Sequence, residues 1–137
     1  MLPDKLKLEI VTPDRLVVTE GVDEVVLPSV EGYLGVLPGH APLLARLDPG
    51  EIDYRIGSEH ALLAVSGGFA EVLRDRVEIL AETCEPAGEI DVERARRSLE
   101  RAEKRIQSQT AEFDLKRAEI SLRKAVSRIN VGRRIGG

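Results

Sequence analysis

Basic residues repeat with helical spacing in two segments late in the sequence. Both segments place their cations at intervals of seven and then four residues, which puts each set near one helix face. The two sets are Arg94, Arg101 and Arg105, and Arg117, Lys124 and Arg128. If the helices fold back on each other, these cations can converge on phosphate, because a guanidinium group donates two parallel hydrogen bonds to it. An acidic protein surface is the alternative ligand.

Residue patterns for catalysis and metal binding are scarce. The histidines His40 and His60 lie far apart, and no HExxH-type spacing occurs. Ser66 precedes two glycines and lacks the GxSxG order of a nucleophile elbow, so a turn between strands is the favoured interpretation. Cys84 is the single cysteine, which excludes an internal disulfide and a cysteine-based zinc site. We therefore predict no catalytic residues and no metal site.

Charge and composition divide the 137-residue chain into two parts. Residues 1–88 carry 7 basic and 16 acidic residues, a net charge of −9, whereas residues 89–137 carry 13 basic and 8 acidic residues, a net charge of +5. All seven prolines lie at or before Pro86, and neither Pro nor Gly occurs from 89 to 131. Such asymmetry predicts two modules with different partners. The predicted divisions are a first domain at 1–85, a linker at 86–88, a second domain at 89–131 and a flexible tail at 132–137.

The composition also disfavours several functions. A net charge of −4 and an aromatic content of 3% argue against nucleic-acid binding, which relies on basic surfaces and on aromatic stacking. The longest uncharged stretch, residues 32–45, has 14 residues and includes two prolines, whereas a membrane span needs about 20 apolar residues. The first residues lack the apolar run of a signal peptide. We expect neither a nucleic-acid partner nor direct membrane insertion.

Apolar alternation predicts strands throughout the first domain. Leu6, Leu8 and Ile10 alternate with charged residues, as on a half-buried strand. Further short apolar runs follow, separated by turn clusters such as Asp48-Pro49-Gly50. Short strands at this spacing predict an antiparallel β-sandwich or barrel rather than alternating strands and helices.

The second domain shows heptad-like spacing of small and apolar residues, which predicts an antiparallel two-helix hairpin with helices at about 91–106 and 110–130. Asp91 is a good N-cap for the first helix, and Ser108 or Thr110 can cap the second. Seams that mix alanine with larger aliphatic residues bury little surface, so the hairpin is expected to be marginally stable alone and to dock on the sandwich or on a partner.

Three motifs, in this order, resemble the epsilon subunit of bacterial F-type ATP synthases. The first and longest is the segment from Glu31 to Pro42, EGYLGVLPGHAP; the second is Ser66-Gly67-Gly68-Phe69. The third, from Ile90 to Ala95, matches the I/L-D-x-x-R-A pattern at the start of the hairpin. The resemblance covers essentially the whole chain. It implies a sandwich of about ten strands followed by a helical hairpin, in a non-catalytic part of the central stalk, or rotor, that helps couple proton translocation to ATP synthesis.

The resemblance also implies partners. The sandwich is expected to contact the gamma subunit and the ring of c subunits, with the ring contact at Ser29, Val30, Glu31, Gly32, Tyr33 and His40. When extended, the hairpin is expected to reach the alpha and beta subunits of the catalytic head and inhibit ATP hydrolysis. The candidates for those contacts are Arg117, Arg123, Lys124 and Arg128. The implied location is the cytoplasmic face of the bacterial plasma membrane, as a peripheral part of the complex.

Some bacterial members of this family bind ATP on the folded hairpin, which stabilises the non-inhibitory state. The resemblance implies ATP as a regulatory ligand, with no covalent cofactor, at Glu85, Ile90, Asp91, Arg94, Ala95, Arg101, Arg117, Lys124 and Arg128. Lys124 departs from close ATP-binding members, which carry arginine there; lysine keeps the charge but loses the bidentate fork. Two further functions stay open: a coupling clamp without nucleotide binding, and an arginine-rich adaptor for nucleic acid, which the acidic sandwich disfavours.

Overall fold

The computed structural model describes residues 2–107 and 112–136. Ten strands are followed by a short 3₁₀ turn and two helices. The strands are β1 (Leu6–Val11), β2 (Leu16–Val22), β3 (Glu24–Ser29), β4 (Gly32–Val36), β5 (Leu43–Leu47), β6 (Gly50–Ile56), β7 (Glu59–Val65), β8 (Gly68–Val72), β9 (Arg76–Ala81) and β10 (Cys84–Pro86). The 3₁₀ turn is Ala87–Glu89, and the helices are α1 (Val92–Gln107) and α2 (Glu112–Gly136). The predicted fold, a β-sandwich followed by a helical hairpin, is confirmed.

One continuous hydrogen-bonded sheet forms the sandwich. Its strand order is β10-β7-β6-β3-β5-β8-β9-β1-β2, and β4 pairs with β3 at one side. All pairings are antiparallel except that of β1 with β9, which is parallel and sets Leu8 beside Val77. The sequence predicted an antiparallel sandwich, and this single parallel pair is the one departure from it among the described strands. The parallel pair arises because β1, from the start of the chain, joins the edge of β9 in the same direction, and β2 then pairs with β1 at the end of the strand order. This relation between distant segments leaves no local sequence pattern.

Each strand contributes apolar side chains to one core. Leu6, Leu8 and Ile10 are fully buried, as their alternation predicted. Every other strand adds at least one buried residue to the same cluster, ending with Cys84 on β10. Burial of this shared apolar surface is the main stabilising contribution to the sandwich.

A tight crossing joins β7 to β8 at Ser66-Gly67-Gly68. Gly67 and Gly68 have φ values of 142° and 135°, which L side chains rarely adopt. A Cβ at Gly68 would collide with the carbonyl oxygen of Leu80 and lie 2.9 Å from the Cα of Ala81. The Ser66 hydroxyl accepts a hydrogen bond from the backbone N–H of Thr83 at 3.0 Å. This motif is therefore a structural turn, as predicted, rather than a nucleophile site.

The hairpin packs through alanines. Ala95, Ala102, Ala118 and Ala125 are all buried, so the α1 and α2 backbones approach closely at the predicted seam. Asp91 caps α1, as predicted, because its Oδ1 accepts a hydrogen bond from the N–H of Arg94 at 3.0 Å. The predicted cap at Ser108 or Thr110 lies outside the described residues.

The hairpin docks on the sandwich through α2, which crosses β6 and β7. Val131 is fully buried and packs with Ala64 of β7 and Ala87 of the 3₁₀ turn. Among the described residues, no helix has the length and apolar character needed to cross a membrane.

The second helix is longer than predicted. It continues to Gly136, whereas the sequence predicted an end near residue 130 and a flexible tail at 132–137. A Cβ at Gly132 would lie 2.8 Å from the Cγ2 of Val92 and 3.4 Å from the Cγ2 of Ile90. The glycine thus permits close packing of α2 against the start of α1 rather than ending the helix.

Candidate functional site

A cleft of about 810 Å³ lies between the hairpin and the sandwich. Four cationic side chains line it: Arg94 and Arg101 from α1, and Lys124 and Arg128 from α2. We call this region the basic cleft. Its volume falls in the range of small-molecule sites, about 300–1,000 Å³.

Helix geometry brings these four cations together. Arg94 and Arg101 are two turns apart on α1, and Lys124 and Arg128 are one turn apart on α2. The alanine seam holds the two helices close enough for both pairs to line the same cleft. The convergence predicted from the spacing is therefore present for these four residues. The side chain of Arg105 lies outside the described residues.

Glu85 on β10 fixes the guanidinium of Arg128. The Arg128 Nε lies 2.8 Å from the Glu85 Oε1 without the alignment of a hydrogen bond, and the Nη2 donates to Oε2 at 3.1 Å. Only 24% of the Arg128 side chain and 31% of the Glu85 side chain are exposed. Partial burial strengthens this pair relative to a fully solvated one, and it holds Arg128 at the wall of the cleft.

Hydroxyl and apolar groups complete the lining. Ser66 and Thr83 come from the sandwich, and Ser98 and Ser121 come from the helices, where Ser98 accepts a hydrogen bond from Arg101 Nη2 at 3.0 Å. Ala64, Val65 and Ala125 supply apolar surface, and Asp14 and Glu82 add carboxylates. The four cations outnumber the three carboxylates Asp14, Glu82 and Glu85, so the lining suits an anionic ligand.

Four of the residues implied for ATP binding do not line the cleft. Ile90 packs against the Ala64, Ala87 and Val131 cluster, and Asp91 caps α1. Ala95 is buried in the helix seam, and Arg117 is exposed nearer the start of α2, two turns before Lys124. Conversely, sequence reasoning missed Asp14, Ser66, Glu82, Thr83, Ser98 and Ser121. Of these, Ser98 had a signal, because it lies one helical turn after Arg94.

A second region surrounds the β3–β4 turn. Ser29, Val30, Glu31, Gly32 and Tyr33 line a groove of about 470 Å³ with Leu43, Leu44 and neighbouring residues of β5. Ser29 Oγ accepts a hydrogen bond from the Glu31 N–H at 3.3 Å, which tightens the turn. Val30, Tyr33 and Leu44 are exposed apolar side chains, a feature typical of protein interfaces. His40, also implied for ring contact, is not among the residues that line this groove; its Nδ1 lies 2.7 Å from the Ala41 carbonyl oxygen.

The outer face of the sheet carries a second apolar surface. The registers of β8, β9, β1 and β2 set Phe69 beside Leu80, Leu80 beside Val11, and Val11 beside Leu16. Phe69, Leu80 and Leu16 are each more than half exposed. We call Phe69, Leu80, Val11 and Leu16 the outer apolar row. Sequence reasoning missed it, because only the register shows that these residues are neighbours.

No arrangement for metal or thiol chemistry occurs in the described part of the chain. No group of three or more His, Cys, Asp or Glu side chains within it is placed to hold a metal ion. Cys84 is buried, and burial raises the pKa of its thiol to about 12, so the nucleophilic thiolate is suppressed near neutral pH.

Comparison with known proteins assigns both domains. Residues 5–87 match the family model for the ATP synthase delta/epsilon chain beta-sandwich domain, and residues 89–132 match that for its long alpha-helix domain. The ATP synthase epsilon chain of Syntrophobacter fumaroxidans is 48% identical over 133 residues, covering 97% of this chain and 99% of that protein. That of Carboxydothermus hydrogenoformans is 50% identical over 109 residues, covering 80% of this chain and 81% of that protein.

Solved structures show the same fold. A chain in the Euglena gracilis mitochondrial ATP synthase assembly of OSCP, F1 and c-ring matches with a TM-score of 0.82 and 29% identity, covering 93% of this chain and 81% of that chain. A chain in the Tetrahymena thermophila mitochondrial ATP synthase central stalk and c-ring shares the fold, with a TM-score of 0.60 and 17% identity, covering 97% of each chain. The chain therefore belongs to the ATP synthase delta/epsilon family, among the bacterial epsilon chains.

Proposed function

We propose that this chain is the epsilon subunit in the central stalk of a proton-translocating F-type ATP synthase, where it helps couple proton flow to ATP synthesis. It has no active site of its own in this proposal. The hairpin inhibits ATP hydrolysis when extended, and ATP bound in the basic cleft stabilises the folded state. The observation that supports regulation by ATP is the basic cleft, because α1, α2 and the sandwich all line it.

Because the basic cleft lies between the hairpin and the sandwich, the affinity of a bound ligand depends on whether the hairpin is docked. Arg94 and Lys124 belong to the hairpin, whereas Glu85 and Thr83 belong to the sandwich. A ligand that touches both parts loses contacts when they separate, so it binds the folded state more tightly. Differential affinity of this kind is what allows a ligand to shift a conformational equilibrium.

The same cations support the inhibitory proposal. Lys124 and Arg128 line the basic cleft in the folded state, and Arg117 and Arg123 are exposed on α2. When the hairpin extends, these four cations become available to acidic surfaces of the alpha and beta subunits. Lys124 and Arg128 thus serve two mutually exclusive contacts in this proposal, as a bistable regulatory element requires.

Exposed apolar surfaces support the proposed partners within the complex. The groove at the β3–β4 turn fits a contact with basic polar loops of the c ring, to which the acidic sandwich is electrostatically complementary. We assign the outer apolar row to the gamma subunit, because a flat apolar face suits a permanent protein partner. The proposed location is peripheral, on the cytoplasmic face of the bacterial plasma membrane, without nucleic-acid contact or membrane insertion.

Calorimetric titration of the purified full chain with ATP and Mg²⁺ tests the nucleotide site. We expect saturable heat at up to millimolar ATP. Arg94→Ala is expected to weaken binding about 10- to 100-fold, because hydrogen bonds to charged groups contribute about 1.5–3 kcal/mol. Arg133→Ala is the matched control, since Arg133 is an exposed α2 arginine that lines a different groove. Absence of heat for the parent chain would exclude ATP sensing.

A coupling clamp without nucleotide binding is the second candidate. The Glu85–Arg128 pair favours it, because a carboxylate already neutralises one of the cleft cations. Replacing Arg117 with alanine in the full chain distinguishes the two functions, since Arg117 is exposed on α2 and does not line the basic cleft. Under the inhibitory proposal, ATP hydrolysis by the reconstituted complex rises; for a clamp alone, it stays at the parent rate.

A further inference from the structure

A second ion pair joins the hairpin to the sandwich away from the basic cleft. Arg123 Nη2 on α2 lies 2.8 Å from Asp48 Oδ2 in the turn between β5 and β6. Neither residue lines the basic cleft. The Arg123 side chain is 49% exposed and that of Asp48 is 37% exposed, so solvent and other proteins can reach both groups.

The turn that carries Asp48 is firmly placed. The Asp48 N–H donates a hydrogen bond to the Pro28 carbonyl at 2.8 Å, and Pro49 restricts the next backbone angle. Gly50 packs so closely on Pro28 that a Cβ there would lie 2.7 Å from the Pro28 Cβ. Asp48 therefore presents its carboxylate from a fixed position, which lowers the entropy cost of pairing with a helix that docks and undocks.

The neighbouring carboxylate has another partner. Glu51 Oε2 accepts a hydrogen bond from the Tyr33 hydroxyl at 2.6 Å. Glu51 and Arg123 line the same small groove, but the ion pair that the structure describes for Arg123 is with Asp48. Asp48 in the turn thus pairs with α2, whereas Glu51 at the start of β6 holds Tyr33 of β4.

We propose that Asp48 is a positioning residue that holds the hairpin folded by occupying Arg123, independently of any nucleotide. Arg123 cannot contact Asp48 and the catalytic head at once, because the two contacts require different hairpin positions. Asp48 competes with the acidic partner surface for Arg123. It thereby sets the resting balance between the folded and the extended hairpin. The meaning of this balance for ATP hydrolysis rests on the proposed function; the docking effect itself does not.

The size of the effect follows from exposure. Exposed ion pairs typically contribute about 0.2–1 kcal/mol, which corresponds to a change of about 1.4- to 5-fold in the docking equilibrium. A shift of this size changes how often the hairpin opens without unfolding either domain. An ion pair of this strength shifts the docking equilibrium of the hairpin without holding it permanently folded.

Thiol labelling of the full chain measures this opening. In a V131C background the new thiol is covered by Ala64 and Ala87 while α2 is docked, so its labelling rate reports undocking. Native Cys84 is buried with a raised pKa and serves as the internal control for global unfolding. Without nucleotide, Asp48→Asn is expected to raise V131C labelling about 1.4- to 5-fold, with Cys84 labelling unchanged.

Matched variants separate pairing from general charge. Asp75→Asn makes the same chemical change in the exposed turn between β8 and β9 and is expected to leave the rate unchanged. The charge swap Asp48→Arg with Arg123→Asp is expected to restore slow labelling, and about 1 M salt is expected to remove the effect of Asp48→Asn. Equal rates for Asp48→Asn and Asp75→Asn would overturn the proposal.

A second measurement avoids the buried substitution. Spin labels at the exposed positions Glu59→Cys and Arg133→Cys give the folded and extended populations as two distances. Asp48→Asn is expected to increase the extended population relative to Asp75→Asn, and an unchanged population contradicts the proposal. Because no nucleotide is added, the result is independent of ATP binding. ATP that fails to increase the folded population in the parent would count against the proposed nucleotide site alone.

Discussion

Arg15 donates two hydrogen bonds to Glu89, from Nη1 to Oε1 at 3.1 Å and from Nη2 to Oε2 at 2.7 Å. Arg15 lies just before β2, and Glu89 ends the 3₁₀ turn that leads into the hairpin. The pair ties the β1–β2 turn to the segment from which α1 starts. It therefore holds the segment that leads into α1, whereas the Asp48–Arg123 pair holds α2.

This pair predicts an acid-sensitive contribution to stability. Hydrogen bonds from Arg15 lower the pKa of Glu89 below its ordinary value. A group with a lowered folded-state pKa stabilises the fold above its unfolded pKa, and that stability is lost as pH falls through the folded value. In urea unfolding, Glu89→Gln is expected to be less stable than the parent near neutral pH, with the difference beginning to shrink only once the pH falls below the ordinary glutamate pKa of about 4.3. A difference that stays constant from neutral pH to about pH 3 would contradict this assignment.

Gly68→Ala is expected to destabilise the sandwich by about 2–4 kcal/mol. The backbone at Gly68 has φ of 135°, and the added methyl group would meet the Leu80 carbonyl and the Ala81 backbone. Gly21→Ala is the control, because a Cβ at Gly21 meets nothing within 4 Å. Chemical denaturation should separate the two variants clearly. Equal stability of both would show that the β7–β8 turn relaxes at little cost.

The success and failure of sequence reasoning have different physical causes. Strand and helix identity follow from local periodicity, so the sandwich core at Leu6, Leu8 and Ile10 and the alanine seam of the hairpin were predictable. The parallel pairing of β1 with β9 depends on how distant strands close the sandwich, and no local pattern encodes that. The helical continuation through Gly132 depends on contact with Val92, which is known only once the helices are packed.

The basic cleft shows the same division. Arg94, Arg101, Lys124 and Arg128 were predictable because helical spacing puts each pair on one helix face, and the predicted hairpin brings the two faces together. Asp14, Glu82 and Thr83 enter the cleft from turns of the sandwich, so their proximity depends on the tertiary fold. The pairing of Arg123 with Asp48 could not be predicted either, because the sequence around Asp48 indicates only a turn and not which residue packs beside it.

Ser127→Ala is expected to stabilise the docked hairpin by about 0.5–1 kcal/mol. Ser127 is 4% exposed, and its hydroxyl has no hydrogen-bond partner among the described residues. Alanine removes the buried polar group and favours the helix. Ser98→Ala is the contrasting variant, because it removes the acceptor for Arg101. Thermal unfolding should show a gain for the first and none for the second; a loss for Ser127→Ala would reveal a partner for its hydroxyl.

Cys84 is expected to resist alkylation in the native chain. Its pKa of about 12 leaves a thiolate fraction on the order of one in 100,000 near neutral pH, and its side chain is buried. Incubation with iodoacetamide followed by mass spectrometry checks this, with a urea-unfolded sample as the positive control. Rapid modification of the native chain would show that β10 opens easily from β7, which would weaken its use as a marker of global unfolding.

Leu80→Lys is expected to abolish co-purification with the gamma subunit while leaving the fold intact. Leu80 is 64% exposed at the centre of the outer apolar row, so a lysine ammonium stays solvated in the isolated chain, and stability should change by less than about 0.5 kcal/mol. In a complex, the same ammonium would be buried against an apolar partner, at a desolvation cost far larger than the lost apolar contact. Ile120→Lys, on the exposed surface of α2, makes the same change away from the row and should leave co-purification intact. If both variants retain the gamma subunit, the outer apolar row is not its docking surface; if both lose it, the effect arises from added charge rather than from this face.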